Sequence, residues 1–301
     1  YGASCGDIDN DGDLDLFISN RSPEDHNYLY RNDSGIYVDI TGTSGISLEG
    51  QLSFCSIFFD YDKDGLQDIY VSNDKEENIN RLYKNLGDGV FQDVSDSSNA
   101  GVDVSAMSTT LGDFNNDGWF DIYITNTPFS QVSSIQGNVL LKNNGDGTFT
   151  NVATETGTSF DSVGWGSVFL DADNDGLLDI YVSSSENGNG SLISSAFYHQ
   201  QDDETFIIPQ DIGFNTDLRE SYTNAIGDIN NDGKPEIVVG NDTENNFLWQ
   251  NNTSNENNWL KVKLEGVISN KDGIGNTIEI SVDGQSQYRY TLAGEGYLSQ
   301  N

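Results

Sequence analysis

A nine-residue pattern, Asp-x-(Asp/Asn)-x-Asp-Gly-x-x-(Asp/Glu), occurs five times in this 301-residue chain, and the spacing of its copies constrains the fold more than any other feature. The copies begin at Asp7, Asp60, Asp113, Asp171 and Asp228, 53–58 residues apart. Taken singly, the stretch Asp60-Tyr61-Asp62-Lys63-Asp64-Gly65-Leu66-Gln67-Asp68 has two readings. Carboxylates at alternate positions offer calcium several hard oxygens in a flexible geometry, and the Leu66 carbonyl would add another. Gly65 permits the sharp turn that gathers them. The other reading is a polar hairpin turn, where Asp and Gly are common for backbone reasons. Five copies at near-constant spacing exceed chance turn chemistry and mark a repeat architecture.

Each unit repeats more than its loop. A small-residue and apolar strand precedes it, as in Ser56–Phe59. A β-branched and aromatic strand follows, as in Asp68-Ile69-Tyr70-Val71-Ser72-Asn73 and Asp121-Ile122-Tyr123-Ile124-Thr125-Asn126. A third strand of the type Asn80-Arg81-Leu82-Tyr83-Lys84-Asn85 comes next. Gly87-Asp88-Gly89 and Gly145-Asp146-Gly147 then lead into a fourth, a hairpin signal. Repeat four degenerates at this point, around Ala196–Gln200 and Thr205–Ile208. Four antiparallel strands in about 50 residues is the arithmetic of a β-propeller blade, and lone blades must pack on neighbours to bury their faces. The expectation is an all-β propeller over residues 1–252, with five calcium repeats visible and up to seven blades. An elongated solenoid is the alternative, which four strands per unit suit less well. The longest connections, Thr127–Gly137 and Ser184–Ser195, are either partner-binding loops or tolerated insertions.

From Asn251 to Asn258 the chain is polar, and residues 253–301 read as a second, small β module. Strand candidates there are Trp259–Leu264, Thr277–Val282 and Gln287–Leu292, and four of the 13 basic residues fall between Lys261 and Arg289. Three strands make a marginal sheet alone.

The charge balance is extreme: 13 basic against 49 acidic residues, a net charge of −36. A basic footprint for nucleic acid or an anionic membrane is missing. Disorder is opposed by the 35% apolar and 11% aromatic content, which falls in regular runs. No apolar stretch approaches the ~20 residues that span a bilayer, so no membrane insertion is expected. The chain starts at Tyr1 without a methionine, which reads as a processed or trimmed product. Cys5 and Cys55 are either one bridge or two buried thiols, the latter being the default.

These repeats resemble the FG-GAP/VCBS family known from integrin α-subunit propellers and bacterial surface proteins. The metal loops, the Asp-Ile-Tyr-Val-Ser-Asn strand and the Asn-x-Leu-Tyr-x-Asn strand carry the likeness. Trp259–Leu264, Gly273–Asn276 and Gly294–Gln300 look like the start of an ASPIC/UnbV domain, and together the two look like the cartilage acidic protein-like architecture. Propellers of this type commonly have seven blades, so five visible repeats are a departure.

The resemblance implies calcium in each loop, about five ions. In loop two, Asp60, Asp62, Asp64 and Asp68 would ligate by side chain and Leu66 by carbonyl. The same roles fall to Asp7, Asp9, Asp11, Asp13 and Asp15 in loop one. In loop four they fall to Asp171, Asp173, Asp175, Leu177 and Asp179. Loop three offers Asp113, Asn115, Asp117, Trp119 and Asp121, and loop five offers Asp228, Asn230, Asp232, Lys234 and Glu236. Asn115 and Asn230 carry less charge, which predicts weaker binding there. Five bound Ca²⁺ would bring the charge of −36 to −26. An EF-hand is excluded because Val71 stands where a bidentate glutamate would be needed and strands flank the loop.

The function expected from these features is a non-enzymatic, secreted or cell-surface adhesion-type module that binds a protein or a glycan. Homo-polymer formation, by strand completion of the unfinished C-terminal module, is a sharper variant. The alternative is a carbohydrate-active enzyme or its binding accessory. Only His26 and His199 are present, and no nucleophile–base constellation stands out. Sequons at Asn20, Asn32, Asn189, Asn241, Asn251 and Asn252 permit glycosylation. Trp119 is expected at the surface, and Trp165, Trp249 and Trp259 in the core.

Overall fold

The computed structural model describes residues 2–75, 78–127, 135–160, 162–185, 195–210, 212–214, 219–267 and 269–297. Each repeat folds as an antiparallel meander. Blade one is β1 (Gly2–Gly6), β2 (Asp15–Ser19), β3 (Tyr28–Asp33) and β4 (Ile36–Asp39), followed by the single turn α1 (Thr41–Ser44). Blade two is β5 (Ser53–Phe59), β6 (Asp68–Asn73), β7 (Arg81–Asn85) and β8 (Phe91–Asp93). Blade three is β9 (Ala106–Gly112), β10 (Asp121–Asn126), β11 (Val139–Asn143) and β12 (Phe149–Asn151), then the short α2 (Ala153–Thr156). Blade four is β13 (Gly164–Leu170), β14 (Asp179–Ser184), β15 (Ser195–Gln200) and β16 (Phe206–Ile207), and blade five β17 (Ser221–Gly227), β18 (Glu236–Asn241) and β19 (Phe247–Trp249). The all-β, propeller-like architecture expected from the repeats is the one observed.

The blades pack side by side, with β1, β5, β9, β13 and β17 in succession along the inner edge. Alternation sends successive residues of one strand to opposite neighbours. Phe58 joins Phe17 and Leu29 of blade one in one core, while Ile57 and Phe59 join Leu111 and Ile122 of blade three in the next. A middle blade is thus buried on both faces, which is why its strands read as nearly continuous apolar runs. The connections containing 128–134 and 186–194 lie largely outside the described residues. No helix is long and apolar enough to cross a membrane among the described residues.

Three expectations change. Blade five has three strands among the described residues, because Gln250 to Asn258 supplies a polar run where a glycine turn and an aromatic strand would be needed. Trp259–Leu264 is not a strand: neither β19 nor β20 (Thr277–Val282) provides a ladder beside it, and a strand needs one. Trp259 is accordingly 48% exposed, rather than in the core. The two cysteines are free thiols, as the default reading had it, with Cys55 buried and Cys5 half-buried.

β20 and β21 (Gln285–Tyr290) form a hairpin over the loop face. Tyr290 meets Phe120 edge-on at 5.1 Å and its hydroxyl accepts from Gln67 at 3.3 Å. The chain then runs along the inner edge. Cys5 N–H donates to the Ala293 carbonyl at 2.9 Å, and Gly296 N–H donates to Thr109 at 3.0 Å. Glu295 accepts from the Thr110 hydroxyl at 2.9 Å, and Tyr297 packs against Phe54 and Trp165.

Candidate metal centres

All five loops share one backbone. The residue at position 4 (Asn10, Lys63, Asn116, Asn174, Asn231) and the glycine at position 6 both have positive φ. Asparagine tolerates that conformation and explains four of the five position-4 residues; Lys63 holds it at a cost of about 1 kcal/mol. The position-1 carboxylate accepts two backbone bonds in every copy. Asp7 takes Asp11 and Gly12, Asp60 takes Asp64 and Gly65, Asp113 takes Asp117 and Gly118, Asp171 takes Asp175 and Gly176, and Asp228 takes Asp232 and Gly233, at 2.7–3.2 Å. The position-5 carboxylates of Asp11, Asp64, Asp117, Asp175 and Asp232 accept from the N–H two residues on.

Position 9 is a buried staple. Asp15 accepts from Ile8 at 2.7 Å and Asn32 at 2.7 Å, tying the loop entrance to the third strand. Asp68 does so with Tyr61 and Asn85, Asp121 with Phe114 and Asn143, and Asp179 with Ala172 and Gln200. Glu236, one methylene longer, still reaches Ile229 N–H at 3.0 Å, but its other oxygen lies against the Asn230 amide.

Three loops gather carboxylate oxygens within 4.8 Å of one another: Asp7, Asp9 and Asp15; Asp60, Asp62 and Asp68; and Asp171, Asp173 and Asp175. In the first two, Oδ1 of Asp9 and of Asp62 is buried without a hydrogen-bond partner. An anionic oxygen left so is costly unless a cation faces it. Burial raises the most enclosed acids: Asp15 to about 7, Asp68 to about 8, and Asp113 and Asp171 to about 6. Asp121 is pushed up for the same reason. Four or five acids sharing a loop, with at most one or two basic side chains at its margin, is the arrangement a hard divalent ion relieves, so the residues fit calcium. Asp7, Asp9 and Asp15, with their counterparts in the other loops, are the residues that would hold it.

The loops also differ. Asn115 and Asn230 turn their amide N–H groups onto Asp117 and Asp232 at 2.9 and 3.0 Å, satisfying internally what a cation would otherwise satisfy. Asp13 in loop one accepts from Ser34 N–H at 2.9 Å, which directs its carboxylate to the neighbouring turn and leaves the carbonyl as the position-7 donor. In loop two Lys84 bonds Asp62 and lies 3.2 Å from Asp64, so an ammonium already faces the outer carboxylates. In loop four His199 Nδ1 lies 2.9 Å from Asp179. Trp119 is half-buried, with Lys63 Nζ 4.0 Å from its ring centre.

Sequence reasoning missed how the loops connect. In blades two to five a residue at the end of the third strand, or two positions past it in blade five, reaches the position-2 carbonyl of the preceding loop: Asn85 to Ile8 at 2.8 Å, Asn143 to Tyr61 at 2.9 Å, Gln200 to Phe114 at 2.7 Å and Asn251 to Ala172 at 2.7 Å. Position 4 adds a second link, Asn10 to Gly65 at 3.0 Å and Asn116 to Gly176 at 3.1 Å. The recurring asparagines were the available signal. The Asn251 sequon is committed to this linkage.

An FG-GAP-like repeat model matches residues 7–71, 60–124 and 130–182, and an FG-GAP repeat model matches 222–256. Cartilage acidic protein 1 of Mus musculus is 25% identical over 191 residues, covering 62% of this chain and 29% of that protein. The Homo sapiens protein of the same name is 26% identical over 191 residues, covering 62% and 28%. The chain therefore spans less than a third of the length of these relatives. Among solved structures, the V. cholerae biofilm matrix protein Bap1 aligns with 79% of this chain and 34% of its own, at 13% identity and a TM-score of 0.43. With the matched repeats covering more than half of its length, the chain belongs to the FG-GAP-like repeat family.

Proposed function

We propose that this protein is a calcium-stabilised, non-enzymatic interaction scaffold of the extracellular or cell-surface kind. FG-GAP repeats suggest such a β-propeller-type module. The observation that carries the calcium reading is the pair of buried, unpartnered oxygens, Asp9 Oδ1 and Asp62 Oδ1, each inside a cluster of three carboxylates. The ions would hold the first two strands of each blade in register. Loops one and two are the tightest sites, and loops three and five the weakest.

Adhesion to a protein or glycan, and association of the chain with itself, are the activities such a scaffold would serve. The exposed, ladder-free run Trp259–Leu264 supports self-association by strand completion. Neither histidine favours catalysis: His199 is bound to a loop carboxylate and His26 Nδ1 to the Asn27 carbonyl.

A thermal melt in millimolar calcium against chelator tests the metal. Several sites that bind only the folded state raise its stability together, so chelation is expected to lower the Tm by more than about 10 °C. Superimposable melts would sink the assignment.

A further inference from the structure

The interface between blades four and five lacks the phenylalanine that fills the interfaces before it. Phe91 on β8, Phe149 on β12 and Phe206 on β16 are each buried in the core shared with the preceding blade. Each pairs with the Asn or Gln that links neighbouring loops, and each stands six residues after it: Asn85, Asn143 and Gln200. In blade five Asn251 makes that link, and six residues on is Asn257. The core between blades four and five accordingly holds no fourth-strand residue among the described residues. A cavity of about 410 Å³ lies there instead, lined among others by Phe197, Phe214, Ile237, Trp249, Gln250 and Asn251. Phe214 meets the Trp249 ring edge-on at 5.0 Å, and Trp249 Nε1 is buried without an acceptor.

The backbone beside the cavity is open in the same sense. β19 is the edge of its sheet among the described residues and stops at Trp249, two residues before Asn251, whereas β11 runs to Asn143. In blade three Val152 N–H donates to the Leu140 carbonyl at 2.8 Å and Asn144 N–H to the Thr148 carbonyl at 2.9 Å. Lys142 lies between them and opposite Thr150, so alternation turns its backbone to the fourth strand. Gln250 is the counterpart of Lys142, and it is exposed. The residues that follow do not come back to this edge. Lys234 bonds the Thr253 carbonyl, Asn257 donates to the Asp173 carbonyl at 3.1 Å, and Trp259 lies against Gly233. They rest on loops four and five on their way to β20. An open strand edge supplies main-chain bonds to an extended peptide, and a pocket beside it supplies selectivity for one side chain.

From this continuity with the internal interfaces we infer that blade five takes an extended segment of a partner protein as its fourth strand, with a phenylalanine opposite Asn251 and its ring in the cavity. The segment follows the pattern Phe-x-(Asp/Asn)-Val, as Phe91-Gln92-Asp93-Val94 and Phe149-Thr150-Asn151-Val152 do in blades two and three. It carries no net negative charge, because a chain at −36 repels acidic segments. This gives the protein-adhesion part of the proposed function a surface and a partner chemistry, and it rests on that reading.

Titration calorimetry of the 301-residue chain in calcium tests it with a synthetic peptide of residues 147–153, the fourth strand of blade three, capped at both ends and uncharged. The peptide binds saturably below about 1 mM. Phe149→Ala in the peptide weakens binding at least about 10-fold, the scale of burying one aromatic ring. Thr150→Pro in the peptide and Gln250→Pro in the protein each weaken it as strongly, because each removes an N–H from one side of the ladder. An unchanged calcium-dependent melt verifies that Gln250→Pro leaves the scaffold intact, and the two peptide variants read the cavity and the edge whatever that substitution does to the fold. Absence of saturable binding up to about 1 mM overturns the inference, as does binding indifferent to both peptide substitutions. Either result beside a calcium-dependent melt leaves the calcium scaffold standing, whereas melts that superimpose with and without chelator sink that scaffold whatever the peptide does.

Discussion

Asn85 in β7 donates to the Ile8 carbonyl at 2.8 Å and, with the same amide, to the Gln67 carbonyl at 3.0 Å. One side chain thus closes its own metal loop and fastens it to the loop of the preceding blade. Its backbone N–H completes the arrangement by donating to Asp68 at 2.7 Å. Asn143 makes the corresponding bonds to Tyr61 and Phe120. The geometry of one acidic loop is therefore tied directly to packing against the preceding blade.

Asn85→Ala should destabilise the protein by about 2 kcal/mol, because two buried carbonyls lose their donor at once. Asn143→Ala should cost a similar amount. Asn252→Ala, which removes one long 3.4 Å bond at the surface, should be nearly neutral. Calorimetry in calcium checks the ranking. Equal, negligible effects at all three positions would refute the connector role.

Lys84→Gln should tighten calcium at loop two by about three- to tenfold, since the ammonium beside Asp62 and Asp64 competes for the same oxygens. The same change should destabilise the chelated protein, where Lys84 is the only cation the structure brings to this cluster among the described residues. Titration calorimetry reads the first effect and a melt in chelator the second. A variant that weakens calcium binding would show that Lys84 positions the carboxylates instead of competing with the ion.

Burial pushes the Cys55 thiol up to about 11, so at pH 8 only about one in a thousand is thiolate. Native protein in calcium should leave Cys55 unlabelled by a thiol-disulfide reagent over hours, while half-buried Cys5 reacts first. Chelation should speed the labelling of Cys55 at least tenfold if it loosens the loops and blades together. An unchanged rate would uncouple metal from blade packing.

The legible part of the fold was what local side-chain identity dictates. Asp60, Asp62, Gly65 and Asp68 announce a loop because turn geometry and ligand chemistry act within nine residues, and Ile69-Tyr70-Val71 announces a strand buried on both faces. Asn85 was visible as a recurring letter, yet its reach to Ile8 across 77 positions is a product of blade packing that no local pattern encodes. Lys84 was unremarkable for the same reason, as its partner Asp62 becomes a neighbour only when β7 pairs with β6. Trp259–Leu264 has strand composition and forms none, because composition does not supply a partner strand. Position 4 was overlooked because its role is a backbone angle rather than a ligand.

The pH dependence of the metal-free protein should run opposite to ordinary acid denaturation. Burial pushes Asp15 to about 7 and Asp68 to about 8, whereas in the unfolded chain such carboxyls titrate near 4. The folded state therefore binds more protons than the unfolded state between those limits, and stability falls as pH rises through that window. In chelator, the Tm should be highest near pH 5 and should drop steadily up to about pH 8. Calcium replaces those protons as the compensating charge, so in millimolar calcium the slope should flatten or reverse, the ion being driven off as the ligands protonate below about pH 5. Melts at pH 5, 6, 7 and 8, each with calcium and with chelator, give the comparison directly. A chelated protein that grows more stable from pH 5 to 8 would mean that these carboxylates ionise without strain in the absence of metal, and that the loops owe their geometry to backbone hydrogen bonds alone.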